Sequence, residues 1–195
     1  MANMMLGEVS PGGAGSGLYG LLMMSFVAVF LAGLMVGRTP EFIRKTIGIR
    51  EIRFIALYVL VTPAVTLVGA GLAIALPAGR TAIGNSGAHG LSEVLYAFTS
   101  SANSNGSAFG GLSGNTNFYN IALAIAMLLA RYIPIIFVLA LAGSFASQRH
   151  GVTTAGTLRT NGPMFVMLVI GAVLLIGALE FLPALALGPL GEGLH

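Results

Sequence analysis

The chain has 195 residues, of which 56% are hydrophobic and only 8% charged, and its net charge is +3. Soluble domains carry roughly 25% charged residues, so this composition indicates an integral membrane protein. The sequence has no Cys and no Asp, which excludes disulfides, Cys-based metal sites and a phosphorylated aspartate. It also lacks the phosphate-binding motif G-x-x-x-x-G-K-[ST], so any ATP chemistry must belong to another chain.

Apolar segments define the predicted architecture in chain order. Residues 1–17 lack the basic region and the apolar run of a signal peptide. A hydrocarbon core of about 30 Å takes around 20 apolar residues to cross, and four segments are that long: Leu18–Gly37, Phe54–Leu76, Phe118–Ala146 and Met164–Leu187. A fifth, Leu91–Ser101, would extend only roughly 16 Å as a helix. The predicted fold class is therefore an all-α membrane protein with four transmembrane helices and one re-entrant half-helix.

The basic residues predict the orientation of these spans. They concentrate in two connecting loops, 38–53 and 147–162, whereas residues 77–117 contain only Arg80. Loops rich in Lys and Arg face the cytoplasm, so the N-terminus, the segment 77–117 and the C-terminus are expected outside the cell. This spacing over short loops is typical of membrane orientation and does not indicate a nucleic-acid partner.

The loop 103–111, which reads NSNGSAFGG, separates the half-helix from a long apolar helix. At membrane depth, non-helical backbone is tolerated only where protein buries it or it lines a wet cavity. Backbone carbonyls can replace the water shell of a cation, and Gly lets the backbone turn toward it. The loop therefore predicts an ion-selective pore, and an ordinary polar loop after a short surface helix is the alternative. The candidate ion-binding residues are Asn103, Ser104, Asn105, Gly106 and Ser107.

The half-helix itself supplies further candidates. Its C-terminal end is partly negative and would favour a cation, and Thr99, Ser100 and Ser101 are expected to cap this end with hydroxyl groups. Glu93 is expected in the first turn, where a carboxylate favours the positive end. The three His residues lie in separate loops, and no nucleophile and base occur together, so the sequence offers no catalytic site.

Arg131 is an isolated charge near the middle of the third span. A charge at that depth costs several kcal/mol unless it faces a bundle interior with a partner. Spacing allows Glu8 or Glu93 as that partner. Arg131 would then brace the ion-selective loop at 103–111, or set an electrostatic barrier to the ion beneath it. The alternative is that Pro134 kinks the helix and Arg131 snorkels to the interface. Arg has no acceptor and cannot itself bind a cation.

Several runs resemble one family. The run SSANSNGSAFGGL at 100–112 resembles the fourth filter segment of the potassium-binding subunit of the Kdp potassium-transporting P-type ATPases. Similar blocks run in the same order along the chain: GLYG at 17–20, AGLMVGRTPEF at 32–42, LVTPAVTL at 60–67, HGLSEVLYA at 89–97 and FLPALALGPL at 181–190. The family filter usually reads Asn-Asn-Asn-Gly-Ser-Ala-Phe, and here Ser104 replaces the middle Asn.

The resemblance implies a function and a set of partners. Four membrane-pore-membrane repeats would surround one K⁺ path in the plasma membrane, with K⁺ bound by filter carbonyls and no organic cofactor on this chain. A catalytic P-type ATPase subunit would hydrolyse ATP, and two small membrane subunits would complete the complex. The family has ten spans and four filters, so the missing N-terminal repeats of the same subunit are also implied as partners. The chain is then a truncated product or gene model, or one piece of a split subunit.

The resemblance also divides the chain. Residues 1–37 would close a preceding repeat, 38–53 form a cytoplasmic basic loop and 54–146 a complete repeat, followed by a second cytoplasmic loop at 147–162 and a final helix with its external tail at 163–195. Two other functions remain open: a non-conducting structural membrane subunit, and a stand-alone potassium channel of the Trk or Ktr type.

Overall fold

The structure, a computed structural model, describes Met4, residues 17–149, Thr160 and residues 162–194. Six helices and one short hairpin make up this part of the chain. In chain order they are α1 (Gly17–Val36), β1 (Glu41–Phe42), β2 (Lys45–Thr46), α2 (Ile49–Ala75), α3 (Pro77–Arg80), α4 (Gly87–Ala102), α5 (Asn117–Ser147) and α6 (Pro163–Gly193).

Four of these helices are long and apolar enough to cross a membrane. They are α1, α2, α5 and the Pro163–Glu180 part of α6. Large apolar side chains on their outer faces are exposed, including Leu139 at 66% and Leu179 at 71%, as lipid-facing side chains are in a membrane bundle. The prediction of an all-α, multi-pass membrane protein is confirmed.

Helix α4 is inserted between α2 and α5, which pack against each other as an antiparallel pair. Small residues on α2 make room for it: Ala70 and Ala73 are buried against Phe98 and Tyr119 in one core cluster. A Cβ built on Gly69 would lie only 2.3 Å from the Phe98 ring. Close approach of α2 and α4 therefore depends on Gly69, as small residues at membrane helix interfaces generally allow.

The α4 segment is re-entrant, because the chain enters and leaves it at the same end of the bundle. The amide of Ser113, after the loop that follows α4, donates a hydrogen bond of 2.9 Å to the carbonyl of Ala82, before α4. We call this the filter end. At roughly 24 Å, α4 is too short to cross the hydrocarbon core.

The opposite end of the bundle carries the β1–β2 hairpin, and we call it the hairpin end. Phe42 of the hairpin packs edge-on against Phe26 of α1, with ring centroids 5.2 Å apart, and also contacts Phe165 of α6. Ile47, just after the hairpin, is buried at 2% exposure. The hairpin is thus seated against the ends of the spans.

Several details differ from the sequence prediction. Helix α2 begins at Ile49 rather than Phe54, so part of the predicted basic loop is helical. Helix α4 begins at Gly87 rather than Leu91, and α6 continues past Leu187 to Gly193. Of the second basic loop, residues 150–159 lie outside the described part.

Candidate filter loop

The end of α4 is closed by a backbone turn. The amide of Asn105 donates to the carbonyl of Ser100 at 2.9 Å, and the amide of Ser104 donates to that of Ser101 at 3.2 Å. With Asn103 as the C-cap, this pair of bonds is a Schellman motif. Ser104 is its left-handed residue, with φ of 53°. The motif reverses the chain direction and starts the loop.

Ser104 therefore occupies a position where conformation matters more than side-chain chemistry. Left-handed backbone disfavours residues with a Cβ, and Gly or Asn is the usual choice. Asn is one of the residues that tolerate this backbone. Ser occupies the position here at some conformational cost, which the sequence alone did not indicate.

The carbonyl groups of the loop are available to a ligand. In the described part of the chain, no backbone amide donates to the carbonyls of residues 103–108. Residues 104–111 are also exposed. Gly106, with φ of 83°, gives the middle of the loop a conformation that side chains rarely adopt. Cation coordination by backbone requires carbonyls that accept no other hydrogen bond, and those of residues 104–108 belong to exposed residues, whereas Asn103 is buried.

Side chains of the loop and of α4 stabilise the loop conformation. Asn105 Oδ1 accepts hydrogen bonds from the Ser107 amide at 3.2 Å and from the Ser107 hydroxyl at 2.5 Å. The Ser107 hydroxyl also lies 2.8 Å from the Tyr96 hydroxyl, and the Tyr96 ring packs against Phe109 with centroids 4.5 Å apart. Sequence reasoning missed Tyr96, although its position about two turns before the loop was a usable signal.

The hydroxyls of the last turn of α4 do not cap the helix end, which corrects that prediction. Thr99 Oγ1 donates to the Leu95 carbonyl at 2.7 Å, and Ser101 Oγ donates to the Ala97 carbonyl at 2.9 Å. Both bonds point back into the helix, because Ser and Thr hydroxyls reach the carbonyl four residues earlier. Ser100 Oγ and Asn103 Oδ1 are buried without a partner in the described residues. The Asn103 amide nitrogen donates to the Met4 carbonyl at 3.0 Å.

Glu93 lies in the second turn of α4 rather than the first, because the helix begins at Gly87. It is buried at 3% exposure. Its carboxylate accepts a hydrogen bond of 3.0 Å from the Gly84 amide and another from the Asn85 side chain. A Cβ on Gly111 would lie 2.3 Å from Glu93 Oε1. The carboxylate therefore bonds to the segment before α4 and lies against the last residue of the filter loop.

Arg131 is half-buried on α5. The described residues show no ion pair between Arg131 and Glu93, whose oxygens accept from the Gly84 amide and the Asn85 side chain. The other candidate partner, Glu8, lies outside the described residues, so the partner of Arg131 stays a prediction. Among the residues described, no three His or Glu side chains form a metal-binding group.

The four spanning helices, with the short re-entrant helix and its Schellman turn inserted between two of them, define an all-α integral membrane protein. The chain matches the family described as the potassium-transporting ATPase A subunit, KdpA, over residues 1–194. It belongs to that family. The match covers nearly every residue, so it includes the hairpin end as well as the filter loop.

Individual relatives agree with the family match. The chain is 61% identical to a potassium-transporting ATPase potassium-binding subunit of Frankia alni over 193 residues. It is 60% identical to subunits of that name from Streptomyces coelicolor and Mycobacterium avium. These matches cover 99–100% of this chain but only 33–35% of each relative. The chain thus spans about a third of the length of the relatives it matches.

Proposed function

We propose that this chain is the part of a potassium-binding and potassium-translocating membrane subunit that contributes one wall of the K⁺ filter. The observation that carries the proposal is the row of carbonyls at residues 103–108, which accept from no backbone amide in the described part of the chain and follow the C-terminal end of α4. Helix C-termini are partly negative, and neutral carbonyl dipoles bind a cation strongly enough for entry and weakly enough for exit. Family membership supports K⁺ as that cation.

A complete filter needs more oxygens than one loop provides. The ion-binding residues proposed here are Asn103, Ser104, Asn105, Gly106 and Ser107, with the last turn of α4, Thr99 to Ser101, below them. The other three walls would come from the N-terminal repeats of the same subunit. A catalytic P-type ATPase subunit would supply ATP hydrolysis, and two small membrane subunits would complete the assembly.

The proposed orientation follows the distribution of basic residues. The hairpin end, with Arg38, Arg44, Lys45, Arg50 and Arg53, faces the cytoplasm, and the filter end faces outward in the plasma membrane. K⁺ would therefore reach the filter from outside. Both chain termini would lie outside the cell.

For Arg131 we propose an electrostatic role along the ion path. It lies 14 positions into α5, roughly 21 Å along the axis from Asn117. A positive charge at that depth would raise the energy of a cation leaving the filter, and so act as a barrier beneath it. A non-conducting, structural role for the chain is the second candidate, because the chain alone carries a single filter loop.

A chimera tests the proposed function. The last third of the Streptomyces coelicolor relative is replaced by this chain, and the subunit is produced with its partner subunits in cells that lack other potassium uptake. Growth at low external potassium is the expected result. Normal amounts of chimera in the membrane without growth, where the unchanged relative supports growth, would contradict the proposal.

Two variants of the chimera sharpen that test. Gly106→Ala should abolish growth at low potassium, because φ of 83° at Gly106 is strained for any residue with a Cβ. Gly110→Ala is the matched control in the same loop, since a Cβ there meets nothing within 4 Å.

Arg131→Ala should change the rate or the selectivity of uptake while leaving the amount of assembled subunit unchanged. Unchanged uptake in Arg131→Ala would contradict the barrier role.

A further inference from the structure

The hairpin end presents an unusual combination of strain, apolar exposure and positive charge. We define the hairpin rim as Ile43, Arg44, Ile49, Arg50 and Arg53. The two isoleucines are 71% and 74% exposed, and all three arginines are exposed. The rim lies beside the first turns of the spanning helix α2, where a bilayer would change from hydrocarbon to headgroups.

The tip of the hairpin is strained in a way that its own contacts do not explain. Ile43 and Arg44 both have left-handed backbone, with φ of 49° and 60°. Two-residue hairpins of this kind prefer Asn-Gly or Asp-Gly, because a β-branched residue is an outlier in that region. Strain of this kind persists only where the surroundings impose it, and it clusters at functional sites. Ile43 is largely exposed, so a useful contact for it would come from outside the described chain.

The hairpin base is fixed, which holds the tip outward. Phe42 packs on Phe26 and Phe165, and the Gln148 side chain bonds to both the amide and the carbonyl of Thr46 at 3.1 Å. Lys45 donates to the Gln148 carbonyl. The tip therefore keeps a defined position at the edge of the spans instead of folding back onto the bundle.

The arginines of α2 are also poorly placed for the helix itself. Arg50 and Arg53 lie in its first two turns, where the positive end of the helix dipole disfavours cations. Glu51 lies between them but is buried, and its oxygens accept from Gly48, Ser144 and Gln148. Within the described residues no arginine donates to it. An external anion would compensate these positive charges. Ile49 and Arg53, four residues apart, share one helix face.

We propose that the hairpin rim binds anionic phospholipid headgroups, with Ile43 and Ile49 inserted among the upper acyl-chain carbons. Exposed aliphatic side chains beside arginines match this boundary, where acyl chains meet phosphate groups. The position of the rim at the end of a spanning helix favours lipid over a soluble anion. The inference does not depend on K⁺ binding, and it holds whichever side of the membrane the rim faces.

The chain has no Trp, so one introduced Trp reports on a single place. The 195-residue chain carrying Ile43→Trp is reconstituted into vesicles of phosphatidylcholine, with or without phosphatidylglycerol. In each mixed preparation one of the two lipids carries bromine, a quencher of Trp emission, on its acyl chains. Trp emission should shift to shorter wavelength in the membrane, and brominated phosphatidylglycerol should quench it more than equal brominated phosphatidylcholine. Replacing Arg44 or Arg50 by Gln should weaken the preference for phosphatidylglycerol about fivefold each.

Leu139→Trp is the matched control, because Leu139 is 66% exposed and apolar and lies on α5, a helix that carries no rim residue. Both brominated lipids should quench it equally, with or without Arg44→Gln. Ile49→Trp is a second reporter that leaves the strained tip intact, and it should show the same preference as Ile43→Trp. Equal quenching by the two lipids at both rim positions would overturn the proposal. A preference for phosphatidylglycerol that persists when Arg44, Arg50 and Arg53 are replaced together would also overturn it. Trp emission that shifts only when the partner subunits are added would overturn it as well.

Discussion

The two ends of the bundle are each organised around one buried glutamate, but in different ways. At the filter end, Glu93 is 3% exposed and accepts from the segment just before α4. At the hairpin end, Glu51 is 5% exposed and accepts from Ser144 and Gln148 at the far end of α5. Glu93 thus joins segments that are adjacent in sequence, whereas Glu51 joins the two spanning helices of the repeat.

The two glutamates also differ in the kind of groups that surround them, which are backbone at Glu93 and side chains at Glu51. Around Glu93 the backbone segments touch directly: a Cβ on Gly84 would lie 2.2 Å from the carbonyl oxygen of Gly111. Around Glu51 the contacts are side chains, with Gln148 bridging Glu51 and Thr46. The filter end is therefore sensitive to added volume, and the hairpin end is sensitive to lost polar groups. Five substitutions test this difference.

Gly84→Ala should have the largest effect. The added methyl group would meet a backbone carbonyl, which cannot move aside as a flexible side chain can, so we expect the free energy of unfolding to fall by about 3 kcal/mol. Denaturant unfolding of the purified chain in detergent micelles measures it. Gly110→Ala, with nothing within 4 Å of the new Cβ, should stay within about 0.5 kcal/mol of the parent. Equal losses at both positions would show that backbone contact is not what limits the filter end.

Glu93→Gln and Glu51→Gln should each cost about 2 kcal/mol, because both oxygens of each carboxylate accept hydrogen bonds and the amide nitrogen of Gln would face a donor. The two effects should be local. Hydrogen exchange should accelerate at the Gly84 amide in Glu93→Gln and at the Gly48 amide in Glu51→Gln. If each substitution accelerated exchange at both amides, the two ends would not be independent.

Gln148→Ala should lower the free energy of unfolding by about 1 kcal/mol, since its bonds to Thr46 are exposed and only the one to Glu51 is partly buried. The same denaturant titration measures it. Ser147→Ala is the neighbouring control, because within the described part of the chain that hydroxyl bonds only to the Ser144 carbonyl one turn earlier. A loss as large for Ser147 as for Gln148 would remove the argument that Gln148 joins the hairpin to α5.

Ser104→Gly should have the smallest effect and the opposite sign. Left-handed backbone at φ of 53° disfavours Ser, so Gly relieves strain in the folded chain. Gly also loses more conformational entropy on folding, but the relief of strain is larger. We expect a net increase in the free energy of unfolding of about 0.5 kcal/mol. Ser113→Gly, at a position without positive φ, should destabilise the chain slightly. If Ser104→Gly also destabilised the chain, the left-handed backbone of the Schellman turn would not favour Gly over Ser at this position.

The spans and the filter loop could be predicted from the sequence, because long apolar runs and a Gly-rich polar interruption are strong signals. The start of α4 could not, since Gly87 to Gly90 carry two glycines and no apolar periodicity. The hairpin was missed for a similar reason: its strands are two residues long and its turn contains Ile-Arg instead of a recognisable Asn-Gly.

The side-chain partners were the least predictable part of the site. Spacing allowed Glu93 as a partner of Arg131, but it could not indicate that the Glu93 oxygens accept from the Gly84 amide and the Asn85 side chain, which lie close in sequence. Packing roles of glycine were also not separable by sequence. Gly69 lies against Phe98, whereas a Cβ on Gly71, two residues later, would meet nothing within 4 Å. Only the position on the helix face distinguishes them.

The bonds of Glu93 also bear on the order in which the repeat folds. They span 9 and 8 residues of chain, whereas those of Glu51 to Ser144 and Gln148 span 93 and 97. Closing a short loop costs less entropy and is faster than closing a long one. The filter region can therefore acquire its native contacts while α5 is still being synthesised. Joining of the two spanning helices at the hairpin end would follow, after the loop at residues 103–111 is already in place.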